Sequence, residues 1–476
     1  MKPEGLQTDR ISRDNLLGEE LLSELKRQQT LTNKILEEVV EYRNLKRSYG
    51  QVRRNGGISG IDRMEVGEFG KWLGSNMNRL RTALREETYE VSSVKKVEIP
   101  KPNGGTRILG IPTVQDRFIQ QAISQVLTRY YDPLFSEYSY GFRPKRSAHQ
   151  AIVQSAEYIK EGKEWVVEID LEKFFDKINH DRLLQRLSKG IGDKRLLRLI
   201  KQYLKAGMMY NGMQEQRVSG TPQGSPLSPL LSNIVLDELD KELERRGHSF
   251  CRYADDCNVY VGSKKAGARV QKSIISFIEK KLKLKVNRQK SGVYHCSEVN
   301  FLGYTLLSKG KIRVSNNSMK RLKGKVRQIT RRNRGVAFDR IISELNKVVI
   351  GWTEYFKLAD SWLTNFRDID SWIRRKLRCY RLKQCGRVYT TVKFLWSLGV
   401  SKQKAWNVVW YSQGWWSMSK KVAVGHGNEQ SMVCPARIRI SENKNELVKV
   451  IGNRLGTSNV CRVVWGDGGY CRLLPD

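Results

Sequence analysis

Apolar positions along the chain change period several times, and each change marks an element. Leu21, Leu22 and Leu25, then Ile35, Leu36 and Val39, fall at helical spacing and predict a helical N-terminal extension over 1–40. Residues 90–112, which include VSSVKKVEIPKPNGGTRILGIP, hold two β-patterned runs around Asn103-Gly104-Gly105, which predicts a hairpin. Phe118, Ile119, Ala122, Ile123, Val126 and Leu127 return to helical spacing. WVVEID, at 165–170, is apolar enough for a strand buried on both faces, and it closes on Asp170. GTPQGSPLSPLLSNIVLDELD, at 220–240, begins as a Gly/Pro loop and becomes a helix. FCRYADDCNVYV reads as two short strands around an Asp-rich turn. This order predicts an α+β domain whose sheet carries helices on one face. From 313 the pattern is helical alone, with Met319, Leu322, Val326 and Ile329 as one narrow apolar stripe.

Charge changes the picture most. The chain has 476 residues, room for about two to four domains, and a net charge of +37. That balance calls for a polyanion, and nucleic acid fits better than a membrane surface because no long apolar run is present. The N-terminus carries acids and lacks an apolar core, so it does not read as a signal peptide, and the expected location is cytoplasmic. Lys320, Lys323, Arg327 and Arg331 surround the stripe, and Arg374, Arg375 and Arg378 lie among Trp372, Ile373 and Leu377. A basic run is ordinarily a solvated face. These runs lack the acids such a face normally mixes in, which favours nucleic-acid contact. Trp406, Trp410, Trp415 and Trp416 beside basic residues suit stacking on bases. Eight cysteines form no CxxC pair and are expected as free thiols; Cys434, Cys461 and Cys471 with His426 have no standard zinc spacing.

Asp255 and Asp256 are the chemical anomaly. Adjacent carboxylates repel and are costly to desolvate, and metal ions would offset both effects. If the strand ending in Asp170 neighbours their turn, Asp170 and Asp255 can hold two Mg²⁺ ions about 3.5–4 Å apart, the arrangement that serves in-line phosphoryl displacement. Lys101 and Arg107 flank the predicted hairpin turn and could grip one anionic ligand; a solvated tip is the alternative. Phe174 and Phe175 read as core or site, Arg143 as structural or functional, and His149, His180, His248 and His295 as structural.

DLEKFFDKINHD, GTPQGSPLSPLLSNI, FCRYADDCNVYV, KVNRQKS and NFLGYTL, in this order, resemble the palm blocks of reverse transcriptases. KVEIPKPNGGTRILGIPTVQDRFIQQAI and YSYGFRPKRSAHQAI resemble the fingers of group II intron-encoded reverse transcriptases, bacterial and group IIC-like. NLKRSYGQVRRNGGISGID resembles their N-terminal block, and GWTEYFKL with IRRKLRCYRLKQ their thumb, the maturase or X domain.

The resemblance implies a right-hand polymerase. An N-terminal block would span 41–89, fingers and palm 90–312, and an all-α thumb 313–400. A small basic nucleic-acid-binding region, without a His-Asn-His nuclease, would follow at 401–476. It implies Asp170 and Asp255 as metal ligands, Asp256 as supporting acid and Lys290 as a proton donor near pyrophosphate. It further implies Lys101, Arg107, Phe175 and Gln223 at the dNTP, with the Phe175 ring excluding a 2′-OH. Arg117 would face the template, and Phe301, Leu302 and Gly303 would grip the primer. The implied activity is Mg²⁺-dependent copying of RNA into DNA, joined to maturase action in splicing and retrohoming. The implied partners are group II intron RNA, an RNA template with DNA primer, target DNA and dNTPs, without a membrane; monomer and dimer both stay open. Two departures stand out: the family's PQGG reads PQGS here, which strains Ser225 if its φ must be positive, and a WKQW-like stretch reads YRLKQCGR. A group II-derived enzyme serving defence or mutagenic retrotranscription, and a non-enzymatic splicing factor, are the alternatives.

Overall fold

The computed structural model describes residues 33–100, 106–210, 213–215, 219–221, 224–360 and 362–421, and four short strands beyond them that form two antiparallel pairs. Lys101, the 103–105 turn, Gln223, His426, Cys434 and Cys461 lie outside the described residues. The chain divides into two compact units, Met1–Val299 with Ser308–Gly310, and Asn300–Leu307 with Lys311–Asp476.

The first unit opens with α1 (Ile35–Val39), α2 (Tyr42–Asn55) and α3 (Val66–Arg85), then the hairpin β1 (Val94–Pro100) and β2 (Thr106–Ile111). Next come α4 (Val114–Tyr131), α5 (Ala148–Lys160), β3 (Trp165–Ile169), α6 (His180–Gly190), α7 (Lys194–Lys205), β4 (Met208–Tyr210) and β5 (Met213–Glu215). The unit closes with α8 (Ser228–Arg245), β6 (Ser249–Tyr253), β7 (Asp256–Val261), α9 (Lys264–Phe277) and β8 (Gly292–His295). The apolar set foreseen for α4 is fully buried. Its outer turns are stitched to α2 by Ser48 Oγ donating to Phe118 O at 2.6 Å and Asn44 Nδ2 donating to Ala122 O at 3.1 Å.

Two four-stranded sheets follow from this order. One runs β2-β1-β4-β5, and its β1–β4 pair is parallel, so this sheet is mixed rather than antiparallel throughout. The other runs β6-β7-β3-β8 and is wholly antiparallel. In it Val167 lies opposite Val259 and Val293, one face of the pleat, and Glu168 lies opposite Asn258 and Gly292 on the other. Helices α8 and α9 cover the valine face. Helix α5 covers part of the opposite face, where Tyr158 meets Tyr260 with ring centroids 5.5 Å apart. Helices therefore occupy both faces, against the one-face expectation, because Cys251 and Tyr260 give β6 and β7 an apolar outer side that must also be covered.

The second unit holds the hairpin β9 (Tyr304–Leu307) and β10 (Lys311–Val314), then α10 (Asn316–Ile329), α11 (Phe338–Tyr355), α12 (Trp362–Cys385), α13 (Val388–Ser397), α14 (Lys402–Trp410) and α15 (Gly414–Met418). Leu322, Val326 and Ile329 bury the foreseen stripe against Ile341, Leu345 and Ile373. A second small core gathers Leu382, Leu395, Ala405 and Met418. No helix among the described residues is long and apolar enough to cross a membrane. Cys251, Cys257, Cys296, Cys379 and Cys385 are free thiols.

Candidate active site

Strand register brings the three aspartates together. Ile169 pairs with Cys257, so Asp170 follows β3 just where Asp256 begins β7. Tyr253 pairs with Asp256, leaving Ala254 and Asp255 as a two-residue hairpin turn. Ala254 takes φ 59°, the left-handed conformation such turns need. The backbone of Asp170 is fixed in turn: its N–H donates to Ser291 Oγ at 2.9 Å, and its carbonyl accepts from Asn287 N at 2.8 Å. Lys290, in that same loop, sets Nζ 3.8 Å from Asp170 Oδ2.

Electrostatics mark this as a strained cluster of like charge. Asp256 is exposed at its surface, yet desolvation by the surrounding protein, with Asp255 and Asp170, pushes its carboxyl up to about 6, against the pull of Lys290. Asp255 is raised by burial and by Asp170, opposed by Arg107 and Arg252. Arg107, placed in β2 opposite Ile99, thus acts on the same carboxylate. Glu168 is a fourth acid that the sequence motif did not reveal. It sits two residues before Asp170 on the same pleat face, and burial with Asp256 and Asp170 pushes it up to about 7.

Arg252 is the second residue missed. Its side chain is 0% exposed. Nε donates to Asp240 Oδ1 at 2.7 Å and Nη2 to Asp240 Oδ2 at 2.6 Å. Nη1 donates to Asn233 Oδ1 at 3.0 Å and to Ala254 O at 2.8 Å, and Nη2 also to Ser139 Oγ at 2.7 Å. All five donors of the guanidinium are used, and one of them holds the carbonyl of the Ala254-Asp255 turn. The signal was present: a lone arginine inside an apolar strand, three residues before Asp255.

A cavity of about 400 Å³ is lined by Arg117, Phe142, Phe175, Gly224 and Ser225 among others, and Phe142 meets Tyr253 with ring centroids 6.5 Å apart. Phe174 is core, whereas Phe175 is only part-buried and meets it edge-on at 5.3 Å. Arg117 also braces the loop after α2, donating to Gly56 O at 3.3 Å and Ile58 O at 2.8 Å. Positive φ in the PQGS loop falls on Gly224, at 111°, and not on Ser225. Serine is therefore unstrained there, and its Oγ donates to buried Gln120 Oε1 at 2.5 Å. Arg143 is structural: Nε donates to Asp132 Oδ1 at 2.7 Å and Nη1 to Ser139 O at 3.0 Å. His180 Nε2 lies 2.6 Å from Gly220 O.

In the second unit, Leu302 and Gly303 form another two-residue turn with φ 51° and 85°, between Phe301 and Tyr304. Ser318 Oγ donates to Gly303 O at 3.1 Å and Tyr355 OH to Leu302 O at 2.9 Å. Several foreseen nucleic-acid cations are engaged internally. Arg375 stacks on Trp416 at 3.8 Å, Arg327 lies over Trp372 at 5.6 Å, and Arg374 pairs with Asp370 at 2.6 Å. Lys320, Lys323 and Arg331 make no ion pair among the described residues, and Arg378 is on the same helix as Arg375. Trp410 is 70% exposed, while Trp415 packs on the small core.

Residues 99–306 match the model described as reverse transcriptase (RNA-dependent DNA polymerase), and 319–398 match the group II intron maturase-specific domain. Protein YkfC of Escherichia coli is 32% identical over 285 residues, covering 51% of this chain and 75% of that protein. The chain belongs to the reverse transcriptases that carry a group II intron maturase domain. The group II intron-encoded protein LtrA of Lactococcus lactis is 31% identical over 320 residues, covering 53% of this chain and 52% of LtrA, so the match spans about half of that relative's length. Among solved structures, a partial Cas6-RT-Cas1–Cas2 complex aligns with TM-score 0.33 and 25% identity, over 52% of this chain and 42% of that one. This reverse transcriptase is an RNA-directed DNA polymerase with RNA and DNA as partners, and its family uses divalent metal.

Among the described residues no three acidic, histidine or cysteine side chains close into a protein-only metal cage. The donor set still fits Mg²⁺, which binds through one or two carboxylates and takes the rest of its shell from water and substrate phosphates. The raised carboxyls are the observation in favour: a divalent cation would relieve their repulsion.

Proposed function

We propose that the enzyme extends a DNA 3′-OH on an RNA template with two Mg²⁺ ions, and that the same chain binds group II intron RNA to assist splicing and to copy it during retrohoming. The observation that carries this reading is the register pairing of β3 with β7, which sets Asp170 beside the Ala254-Asp255 turn. Asp170 and Asp255 would hold the ions, which when bound supply charge neutralisation at the attacking and leaving oxygens. The chain's own residues do the rest. Arg107 offers a cation to the triphosphate from the side facing Asp255. Lys290, 3.8 Å from Asp170, would serve as the general acid for the leaving pyrophosphate. Phe175, part-buried at the cavity wall, would set its ring against a ribose 2′-OH and so favour dNTPs. By the family resemblance, Lys101 and Gln223 would contact the dNTP, and Phe301, Leu302 and Gly303 the primer strand. The LtrA relationship and the maturase domain support the intron RNA as partner.

The test is primer extension on an RNA template with dNTPs and Mg²⁺. Wild type extends; Asp170→Asn falls by on the order of 10³-fold, the loss expected from several kcal/mol of transition-state charge stabilisation. Extension by Asp170→Asn at the wild-type rate would remove the carboxylates from the mechanism.

A further inference from the structure

Helix α9 and the turn after it, Ile278–Leu282, carry Lys264, Lys265, Arg269, Lys272, Lys280 and Lys281 with one acid, Glu279, and that acid pairs with Arg288 at 3.0 Å. Steps of three and four residues put Arg269, Lys272, Ser276 and Lys280 along one side, over about 16 Å at the helical rise. This side lines an open trough of about 510 Å³ together with Ser273, Phe277, Lys281 and Arg246. Arg246 is its neutralised floor: Nε donates to Glu242 Oε1 at 2.7 Å, Nη1 to Ser273 Oγ at 2.6 Å, and the guanidinium lies over Phe277 at 5.7 Å. Arg269, Lys272, Lys280 and Lys281 are exposed around it, and none of the four forms an ion pair with a carboxylate among the described residues.

The trough lies on the far side of the palm sheet from the carboxylates. A Cβ at Gly267 of α9 would meet Val293 and Val261, which stand on the valine face. Glu168 and Asp170 belong to the opposite face. A primer–template seated on Asp170 and Asp255 is separated from these four cations by the sheet itself.

We propose that this trough holds the phosphate backbone of a second nucleic-acid segment, an RNA duplex, while the cleft holds primer–template. The proposal rests on the maturase reading, which asks one chain to grip RNA outside its polymerase cleft. Four exposed cations without a carboxylate partner among the described residues, three of them in line, suit phosphates. Ser273, whose oxygen accepts from Arg246, retains its O–H, and Ser276 lies on the same line; such hydroxyls suit a backbone that offers a 2′-OH beside each phosphate.

The test uses full-length protein with its cleft saturated by a short RNA–DNA primer–template. The probe is a blunt RNA duplex two helical turns long, with the same-sequence DNA duplex in parallel. Wild type binds the RNA duplex under this block. R269Q/K272Q/K280Q/K281Q weakens it at least tenfold and lowers the slope of log affinity against log salt by about 3.6, with primer-extension kcat and KM unchanged. Undiminished RNA binding by the variant overturns the proposal. So does a parallel loss of primer extension, which would make the trough part of the cleft, or an equal loss with the DNA duplex, which would make the partner DNA. If wild type extends no primer, the polymerase reading fails, and the duplex comparison, repeated without the block, still decides the trough.

Discussion

At the scale of single residues, the site combines carboxylates that repel with one cation that is wholly enclosed. Removing Arg252 leaves Asp240, itself 0% exposed, charged and without its partner. Arg252→Ala should cost about 3–5 kcal/mol, the usual penalty for breaking a buried ion pair, and Arg252→Ala/Asp240→Ala should recover part of it. Urea denaturation of the two variants checks this; a double variant no more stable than the single one would contradict it. The acid cluster gives a pH dependence with a definite sign. Asp256 and Glu168 keep their protons to about 6 and about 7 in the folded protein. Ionising them therefore costs the folded state. That cost is absent below about pH 4, the unfolded carboxyl range, grows as pH rises through the folded values, and is full above them. Without Mg²⁺, raising the pH from 5 to 7.5 should lower the wild-type Tm more than that of Asp256→Asn. Adding Mg²⁺ at pH 7.5 should raise the wild-type Tm by mass action and leave Asp170→Asn/Asp255→Asn almost unmoved. Thermal unfolding followed by circular dichroism reads both shifts. The aspartates were legible in the sequence because two adjacent acids in an apolar run are a short-range anomaly. Glu168 was not, because it matters through cross-strand register; Arg252 stood out as a lone arginine in an apolar strand, but its role depends on partners on a distant helix that the sequence does not show.

At the scale of elements, the Ala254-Asp255 turn that ends β6 is braced by the SYGFRP segment. Tyr140 N donates to Arg252 O at 2.8 Å and Arg252 N to Tyr138 O at 2.9 Å, so that segment runs along β6 as a partial extra strand. Gly141 ends the contact: a Cβ there would lie 2.3 Å from the Ala254 nitrogen. Backbone, unlike a side-chain tip, cannot swing aside. Gly141→Ala should displace the turn and lower primer-extension kcat by about 10²-fold, the effect of an ångström-scale misplacement, while the protein still unfolds cooperatively. Wild-type kcat in that variant would show that the turn tolerates movement. The hairpin β1–β2, helix α4 and the stripe on α10 were readable from periodicity, since each is amphipathic within itself. The parallel β1–β4 pair and the covering of both palm faces were not, because they depend on which distant segment returns to which edge. Ser225 shows the same limit at a loop: the sequence placed a serine where the family has glycine, yet only the backbone reveals that Gly224 carries the positive φ.

At the scale of the whole molecule, a net charge of +37 is shared unequally. Part of it is internal, as the Arg375–Trp416 stack and the Arg374–Asp370 pair illustrate, and composition alone could not separate such cations from those that face a ligand. The proposed function puts two activities in one chain: polymerisation, which would use Asp170 and Asp255, and RNA binding, which would not. The most direct test compares wild type and Asp255→Ala, with primer extension on an RNA template and splicing of a group II intron RNA followed in parallel. The account predicts that the variant extends no primer yet binds the intron RNA and promotes splicing as wild type does. Extension by the variant, or loss of splicing together with extension, would contradict it.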